Sequence, residues 1–280
     1  MSDSRLERFR DAVAPERRRI DLTEAALLCA QDAYPDLDIL GVRAEIDALA
    51  DRLARRLPED FSTTHRLIAL NNYLFRELGF SGNIDDYYDP RNSFLNDVLA
   101  RRTGIPITLS ILYMTCGERL GLKLSGVSFP GHFLVKARVN GGDLVLDPFA
   151  GGRSLSEEDL RERLGQVAGN SASRELPIAE FLDAASPRQI LGRLLRNLKA
   201  IYLEKGDDQR ALAVMHRLVI LLPDVPEERR DRGQAFARLE CPRAAAQDLG
   251  FYAAERPHAA DAAQIAAALA AVTVQAARLN

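Results

Sequence analysis

His132 is followed fifteen residues later by Asp147. A histidine held by an aspartate is the acid–base half of a nucleophilic triad. The acid fixes one imidazole tautomer, and the other ring nitrogen takes a proton from the nucleophile. A cysteine nucleophile works best at a helix N-terminus, where the dipole and free N–H groups favour thiolate and later the oxyanion. The histidine then belongs on a strand facing that helix end, and the acid on the next antiparallel strand. An apolar helical stretch does precede His132, but it opens on Pro106 and has no cysteine at its start. Thr108 and Ser110 are the hydroxyls nearest that start. Either would need a hydrogen bond to His132 to act as nucleophile, and both read first as packing or capping residues. Cys116 lies about 15 Å along the helix, toward the end where the dipole disfavours thiolate.

The elements that must position this pair follow from periodicity. Proline suits a first helical position because its missing N–H has no helical partner there, so Pro106 opens a helix to about Leu120, apolar on most sides and therefore central. After Gly121 the period changes. Leu122–Phe129, Phe133–Val139 and Leu144–Phe149 read as strands, with Asn140-Gly141-Gly142 as the hairpin turn between the last two. That hairpin brings Asp147 near His132 if pairing is close to symmetric about the turn. Gly151-Gly152 ends the unit, a further helix starts at Ser156, and Gly165–Ser173 reads as the loop leading out of it. Upstream lie three helices: Leu22–Ala33 behind caps at Asp21 or Thr23, an amphipathic helix through Val42, Ile46, Leu49, Leu53 and Leu57, and a third from Thr63 or Thr64 to Gly79. A short helix with Leu95, Val98 and Leu99 follows, closed by Gly104, and Arg101 and Arg102 are placed to cap its carbonyls.

Between these helices runs a polar loop, Phe80–Ser93, rich in directed hydrogen-bonding groups. Asn83, Asp86, Tyr87, Tyr88, Asp89, Asn92 and Ser93, with Asn96 just beyond, are candidate ligand contacts if the loop crosses the end of the Pro106 helix. Much of the same set also suits ordinary turns and caps. Gly131 permits close backbone approach beside His132, and Phe133 flanks the histidine on its other side.

From Ser186 onward the pattern is helical, with a repeat near 34 residues that pairs Tyr202 with Phe236, Ala211 with Ala245, Leu218 with Tyr252 and Pro223 with Pro257. Small residues fall where paired helices approach, and a proline ends each second helix. Two units and an Ala-rich helix, Ala259–Leu279, make a short tetratricopeptide-like array. Such arrays present a face suited to peptides, here with basic character from Lys199, Arg210, His216, Arg217 and Arg232.

Composition removes several classes. Lys and Arg number 37 against 40 Asp and Glu, a net charge of -3, so no basic excess exists to bind nucleic acid. No apolar run is long enough for a membrane span, and the N-terminus lacks a signal core, so a soluble, cytoplasmic protein is expected. The three cysteines, Cys29, Cys116 and Cys241, show no metal-ligand spacing. No metal and no cofactor are expected.

Three runs, NSFLNDVLARRTGIPITLSILY, GLKLSGVSFPGHFLV and LDPFAGG, with ALNNYLFRELGFSGN and DDYYDP before them, resemble the SirB-one-like family of the transglutaminase-like superfamily. The resemblance spans about residues 20–260. It implies an α+β fold: a transglutaminase-like (papain-like) core with N-terminal helices over 1–185, and a C-terminal all-α tetratricopeptide-like region over 186–280. In active members of the superfamily the helix begins Gly-x-Cys, with a tyrosine seven residues after the cysteine. Tyr113 matches that tyrosine, so Pro106 stands at the cysteine position while His132 and Asp147 match the other two members. The resemblance therefore implies a non-catalytic pseudoenzyme that binds a protein or ligand, with a protein or peptide partner on its repeats. The alternative is an amide hydrolase or acyl transferase in which His132 and Asp147 serve a hydroxyl or water nucleophile.

Overall fold

The computed structural model describes residues 4–14, 20–168 and 176–278. Contacts divide the chain into two units, Arg19–Leu194 and Met1–Arg18 with Leu195–Asn280. This differs from a division at 185/186, because α1 (Ser4–Ala12) groups with the C-terminal helices. It buries Phe9 and Ala12, and Arg217 lies over the Phe9 ring at 4.9 Å. A contact so distant in sequence leaves no local pattern.

In the core unit, α2 (Leu22–Ala30) is capped by Asp21, whose carboxylate accepts from the Glu24 N–H. α3 (Ile39–Ala54) turns Ile46, Leu49, Ala50 and Leu53 inward. Ser62, rather than Thr63 or Thr64, caps α4 (Thr63–Asn71). The chain then widens into a π-helical stretch, Asn72–Glu77, and stops at Gly79 with φ of 73°. Two short parallel strands, β1 (Ser81–Gly82) and β2 (Thr103–Gly104), tie together the two ends of the segment that holds the polar loop. Within it, α5 (Leu95–Arg101) closes on Arg102 in the left-handed conformation, not on Gly104. Gly104 lies in β2, where a Cβ would press on Thr108.

α6 (Pro106–Arg119) is buried along most of its length with Pro106 at its first turn, as its composition predicts. It covers one face of a four-stranded antiparallel sheet in the order β3 (Leu124–Val127), β4 (Leu134–Val139), β5 (Gly142–Asp147), β6 (Arg153–Leu155). Alternation along the strands sends Val135, Ala137 and Leu146 toward Leu109, Leu112 and Tyr113 of α6. It sends Leu134 and Val145 the other way, toward Leu160 and Leu164 of α7 (Glu157–Ala168). β6 is an addition to the expected unit. Gly151 and Gly152, both at positive φ, turn the chain back onto β5, and Arg-Ser-Leu is too short to show a strand period. Gly165 to Ala168 complete α7 instead of starting a loop, and residues 169–173 lie outside the described residues.

The first residues of α8 (Pro187–Glu204), up to Leu194, belong to the core unit; its remainder, α9 (Asp208–Leu221), α10 (Pro226–Arg238), α11 (Pro242–Glu255) and α12 (Ala262–Ala277) belong to the repeat unit. Ala211 and Ala245 are fully buried, and a Cβ on Gly233 would crowd Leu249 of α11. These are the small residues the repeat pattern requires. The basic residues of this face are engaged within the fold, however. Lys199 bridges Glu228 and Asp231, Arg232 pairs with Asp248, Arg210 with Asp207, and Arg217 is completely buried.

Candidate functional site

The turn Phe129–His132 closes with the His132 N–H donating to the Phe129 carbonyl at 3.1 Å, and Gly131 takes a φ of 69° within it. β4 begins two residues on. The β4–β5 register runs from Val139↔Gly142 to Val135↔Leu146, nearly symmetric about the turn, and so brings the end of β5 beside the start of β4. His132 Nε2 lies 3.0 Å from Asp147 Oδ1. Nδ1 has no hydrogen bond among the described residues, and the ring meets Phe149 edge-on at 5.8 Å.

Asp147 is completely buried. Its Oδ1 also accepts from the Phe149 and Ala150 N–H groups, capping the short turn Pro148–Ala150. Its Oδ2 accepts from Arg163 Nη2 at 2.6 Å. Burial opposes the charged form. The hydrogen bond and charge of His132, the charge of Arg163 and the Ala150 N–H outweigh it and hold the carboxyl below its ordinary value. Arg163 thus already neutralises the carboxylate, which leaves less negative charge to stabilise an imidazolium during proton transfer. The signal for Arg163 is weak but present. Asp147 shares a strand face with Val145, toward α7, and Arg163 sits between the inward positions Leu160 and Leu164.

Among the described residues, no side chain around the start of α6 hydrogen-bonds His132. Pro106 is buried. Thr108 Oγ1 donates to the Asn92 carbonyl at 2.7 Å and accepts from the Ile105 N–H at 3.2 Å. Ser110 Oγ is buried and makes no hydrogen bond among the described residues. Cys116 is buried, and burial pushes its thiol up to about 12. Tyr113 has a positioning role. Its hydroxyl donates to Asn71 Oδ1 at 2.8 Å, and Asn71 Nδ2 donates to the Gly152 carbonyl at 2.9 Å. α6 and the end of α4 therefore hold the turn that follows Asp147.

The transglutaminase-like superfamily description matches residues 41–196, more than half of the chain. The chain belongs to that superfamily. Within this transglutaminase-like protein, residues 198–270 match a tetratricopeptide repeat. A UPF0162 protein of Xylella fastidiosa (strain Temecula1) is 43% identical over 233 residues, covering 83% of each chain. A UPF0162 protein of Pseudomonas aeruginosa is 35% identical over 228 residues, covering 81% of this chain and 82% of that one. Human F-box only protein 21 is 31% identical over 170 residues, 58% of this chain and 26% of that one. No helix among the described residues is long and apolar enough to cross a membrane.

In this transglutaminase-like core the polar loop is wired mostly to itself. Asn92 Nδ2 donates to the Asp86 carbonyl at 2.7 Å, and its Oδ1 accepts from Asn83 at 3.1 Å and Arg101 at 3.3 Å. Asp89 is buried between Arg91 and Arg101. Asn83 Oδ1 caps Asp86, and Asn96 Oδ1 and Ser93 Oγ are buried without hydrogen bonds among the described residues. Asn83, Asp89 and Asn92 thus hold the loop together through their own bonds. Arg101 serves that network instead of the α5 carbonyls, and Arg102 donates across to the Leu78 carbonyl at 2.8 Å. Phe133 is buried core, its ring packed on Gly126.

Among the candidate ligand contacts of the loop, Tyr87 reaches toward the pair through a ring contact. Its ring meets Phe149 at 6.1 Å, and Phe149 meets His132. Tyr88 packs edge-on against Tyr87 and is otherwise exposed. Arg193 of α8, unremarked in the sequence, holds the turn that presents His132: its Nη1 donates to Ser128 Oγ at 2.8 Å and to the Phe129 carbonyl at 2.9 Å.

Proposed function

We propose that this is a non-catalytic, SirB-one-like member of the transglutaminase-like superfamily, a pseudoenzyme whose core binds a ligand and whose repeats bind a protein or peptide. One observation carries the reading. The helix start that would present the cysteine is the buried Pro106, which offers neither a nucleophile nor an N–H. The surrounding chemistry supports it. The Thr108 hydroxyl is engaged elsewhere, Ser110 does not hydrogen-bond His132, and Arg163 occupies the carboxylate that would serve His132 in catalysis. A 170-residue likeness to F-box only protein 21, a quarter of that chain, suits a module carried in different contexts.

The second reading, an amide hydrolase or acyl transferase using water or Ser110, rests on the intact His132–Asp147 bond and the unbonded Nδ1. Two measurements separate them. Pro106→Cys is treated with iodoacetamide at neutral pH and labelling is read at residue 106 by peptide mass spectrometry, because Cys241 is exposed. Labelling faster than free cysteine, and slowed by adding His132→Ala, is expected if Pro106 holds the nucleophile's place; equal rates would remove that premise. The unaltered protein is expected to release no ammonia from a glutamine peptide. Release that disappears in His132→Ala would make the protein an enzyme.

A further inference from the structure

Arg193 is the charged side chain near the pair that the triad comparison leaves unexplained. Its two Nη1 hydrogens go to Ser128 Oγ and the Phe129 carbonyl, and its guanidinium lies over the Phe133 ring at 5.8 Å. The orientation is thereby fixed. What remains is the opposite edge, Nε and Nη2, two parallel donors with no hydrogen bond among the described residues. No carboxylate among those residues pairs with Arg193, whereas Arg163, Arg101 and Arg43 of the same unit meet Asp147, Asp89 and Asp21. Burial lowers the pKa of Arg193, against the pull of the Tyr87 phenol. A half-buried cation that meets only neutral oxygens and an aromatic face carries a desolvation penalty without a counter-charge to offset it.

Tyr87 supplies the second group. Its phenol is half-buried and makes no hydrogen bond among the described residues, and each of the two groups stands one contact from His132, Arg193 through the Phe129 carbonyl that also accepts the His132 N–H and Tyr87 through the Phe149 ring. Its ring leans on Phe149, whose ring meets His132. We infer that Arg193 and Tyr87 form a carboxylate subsite beside His132 that takes an acidic side chain or the C-terminal carboxylate of a peptide segment. Two parallel N–H donors on a planar edge match a planar carboxylate bidentately. A phosphate dianion would call for more positive charge than one guanidinium. The exposed Ile84 and Tyr88 of the same loop offer apolar surface for the rest of a peptide. This subsite deepens the binding reading above and rests on it.

The test uses the full chain labelled with ¹⁵N, following the Arg193 Nε–Hε resonance. Four probes are titrated: N-acetyl-Gly-Gly with a free C-terminus, N-acetyl-Glu-Gly-amide, N-acetyl-Gln-Gly-amide and inorganic phosphate. A saturable shift with at least one carboxylate probe and none with the glutamine amide is expected, and the first two probes tell a chain end from an acidic side chain. Affinity read from the Gly131 and Phe133 amides should fall about tenfold in Arg193→Lys, which keeps charge but loses the edge, and less in Tyr87→Phe. No saturable shift with either carboxylate, equal binding of the glutamine amide, or saturation by phosphate alone would overturn the subsite. Because the unaltered protein supplies the first readout, a variant that folds poorly does not obscure it. Ammonia from the glutamine probe, measured in the same samples, would overturn the non-catalytic reading separately.

Discussion

Two arginines, one in each unit, use the same side chain in opposite ways. In the repeats, Arg232 turns its Nε and Nη2 edge onto Asp248 at 2.6 and 2.9 Å and leaves Nη1 to His216 at 3.2 Å. In the core, Arg193 commits Nη1 to Ser128 and Phe129 and leaves the Nε and Nη2 edge unbonded. The repeat pair is closed: a buried carboxylate and its cation satisfy each other, with Glu228, Lys199 and Asp231 repeating the arrangement nearby. The core is unbalanced. Asp147 holds two side-chain partners, His132 and Arg163, while Arg193 pairs with no carboxylate among the described residues. Charges paired within a fold stabilise architecture. A cation held in place by neutral oxygens, with its best donors unused, is arranged for something outside the chain.

The comparison breaks most visibly at Arg232. Arg232→Gln leaves Asp248 buried without its counter-ion, and such losses destabilise by about 3 kcal/mol or more. Thermal unfolding should fall clearly, with amide exchange at Ala245 and Leu249 accelerated first. A stability within about 0.5 kcal/mol of the parent would mean the repeat pair is not structural, and the contrast with Arg193 would vanish.

Asp147→Asn comes next, with an expected loss of about 2 kcal/mol at neutral pH, since hydrogen bonds to a charged group are removed while the shape is kept. The pH dependence has a definite sign. The folded-state pKa of Asp147 is lowered, so its contribution is fully present above the unfolded value of about 3.9 and is lost as pH falls through the folded one. Unfolding curves of parent and variant should therefore stay apart from neutral pH down to about 5 and converge below about 4. Curves that stay parallel into acid would show that the Asp147 charge is not what holds His132 and Arg163.

How far the site could be read beforehand follows from these same residues. The His132–Asp147 pair was legible because a hairpin with symmetric register is a local consequence of Asn140-Gly141 and alternating strands. The central α6 was legible because Pro106 and a helix apolar on most sides leave few alternatives. The repeats announced themselves by recurrence. Arg163 was legible only weakly, from its place between Leu160 and Leu164, and Arg193 not at all, since a surface-patterned helix gives no sign which of its arginines will reach inward to a strand end or a turn. The loop is ambiguous for a related reason. Asn83, Asp89 and Asn92 are as good for building a turn as for gripping a ligand, and only the bonding pattern shows that they hold the turn together. The grouping of α1 with the C-terminal helices depends on a long-range contact at Phe9, which no window along the chain contains.

Ser110→Ala has a smaller expected effect and bears on the alternative reading of the core. A buried hydroxyl without a partner is a liability that methyl removes, so stability should be unchanged or rise by about 1 kcal/mol. If Ser110 instead served as nucleophile, the same change would abolish any amide hydrolysis, which the ammonia measurement would record.

The smallest stability effect is expected at Arg193, and its smallness is the point. Arg193→Gln gives up two hydrogen bonds to neutral oxygens but also removes a half-buried charge that no acid offsets. The two contributions oppose each other, so the unfolding temperature should move little, within about 1 kcal/mol, in contrast to the matched Arg232→Gln. The change strands no carboxylate, because none among the described residues leans on Arg193. A loss as large as that of Arg232→Gln would make Arg193 an architectural residue like its counterpart in the repeats. A near-neutral result would leave a side chain whose fixed, unused edge the fold does not need.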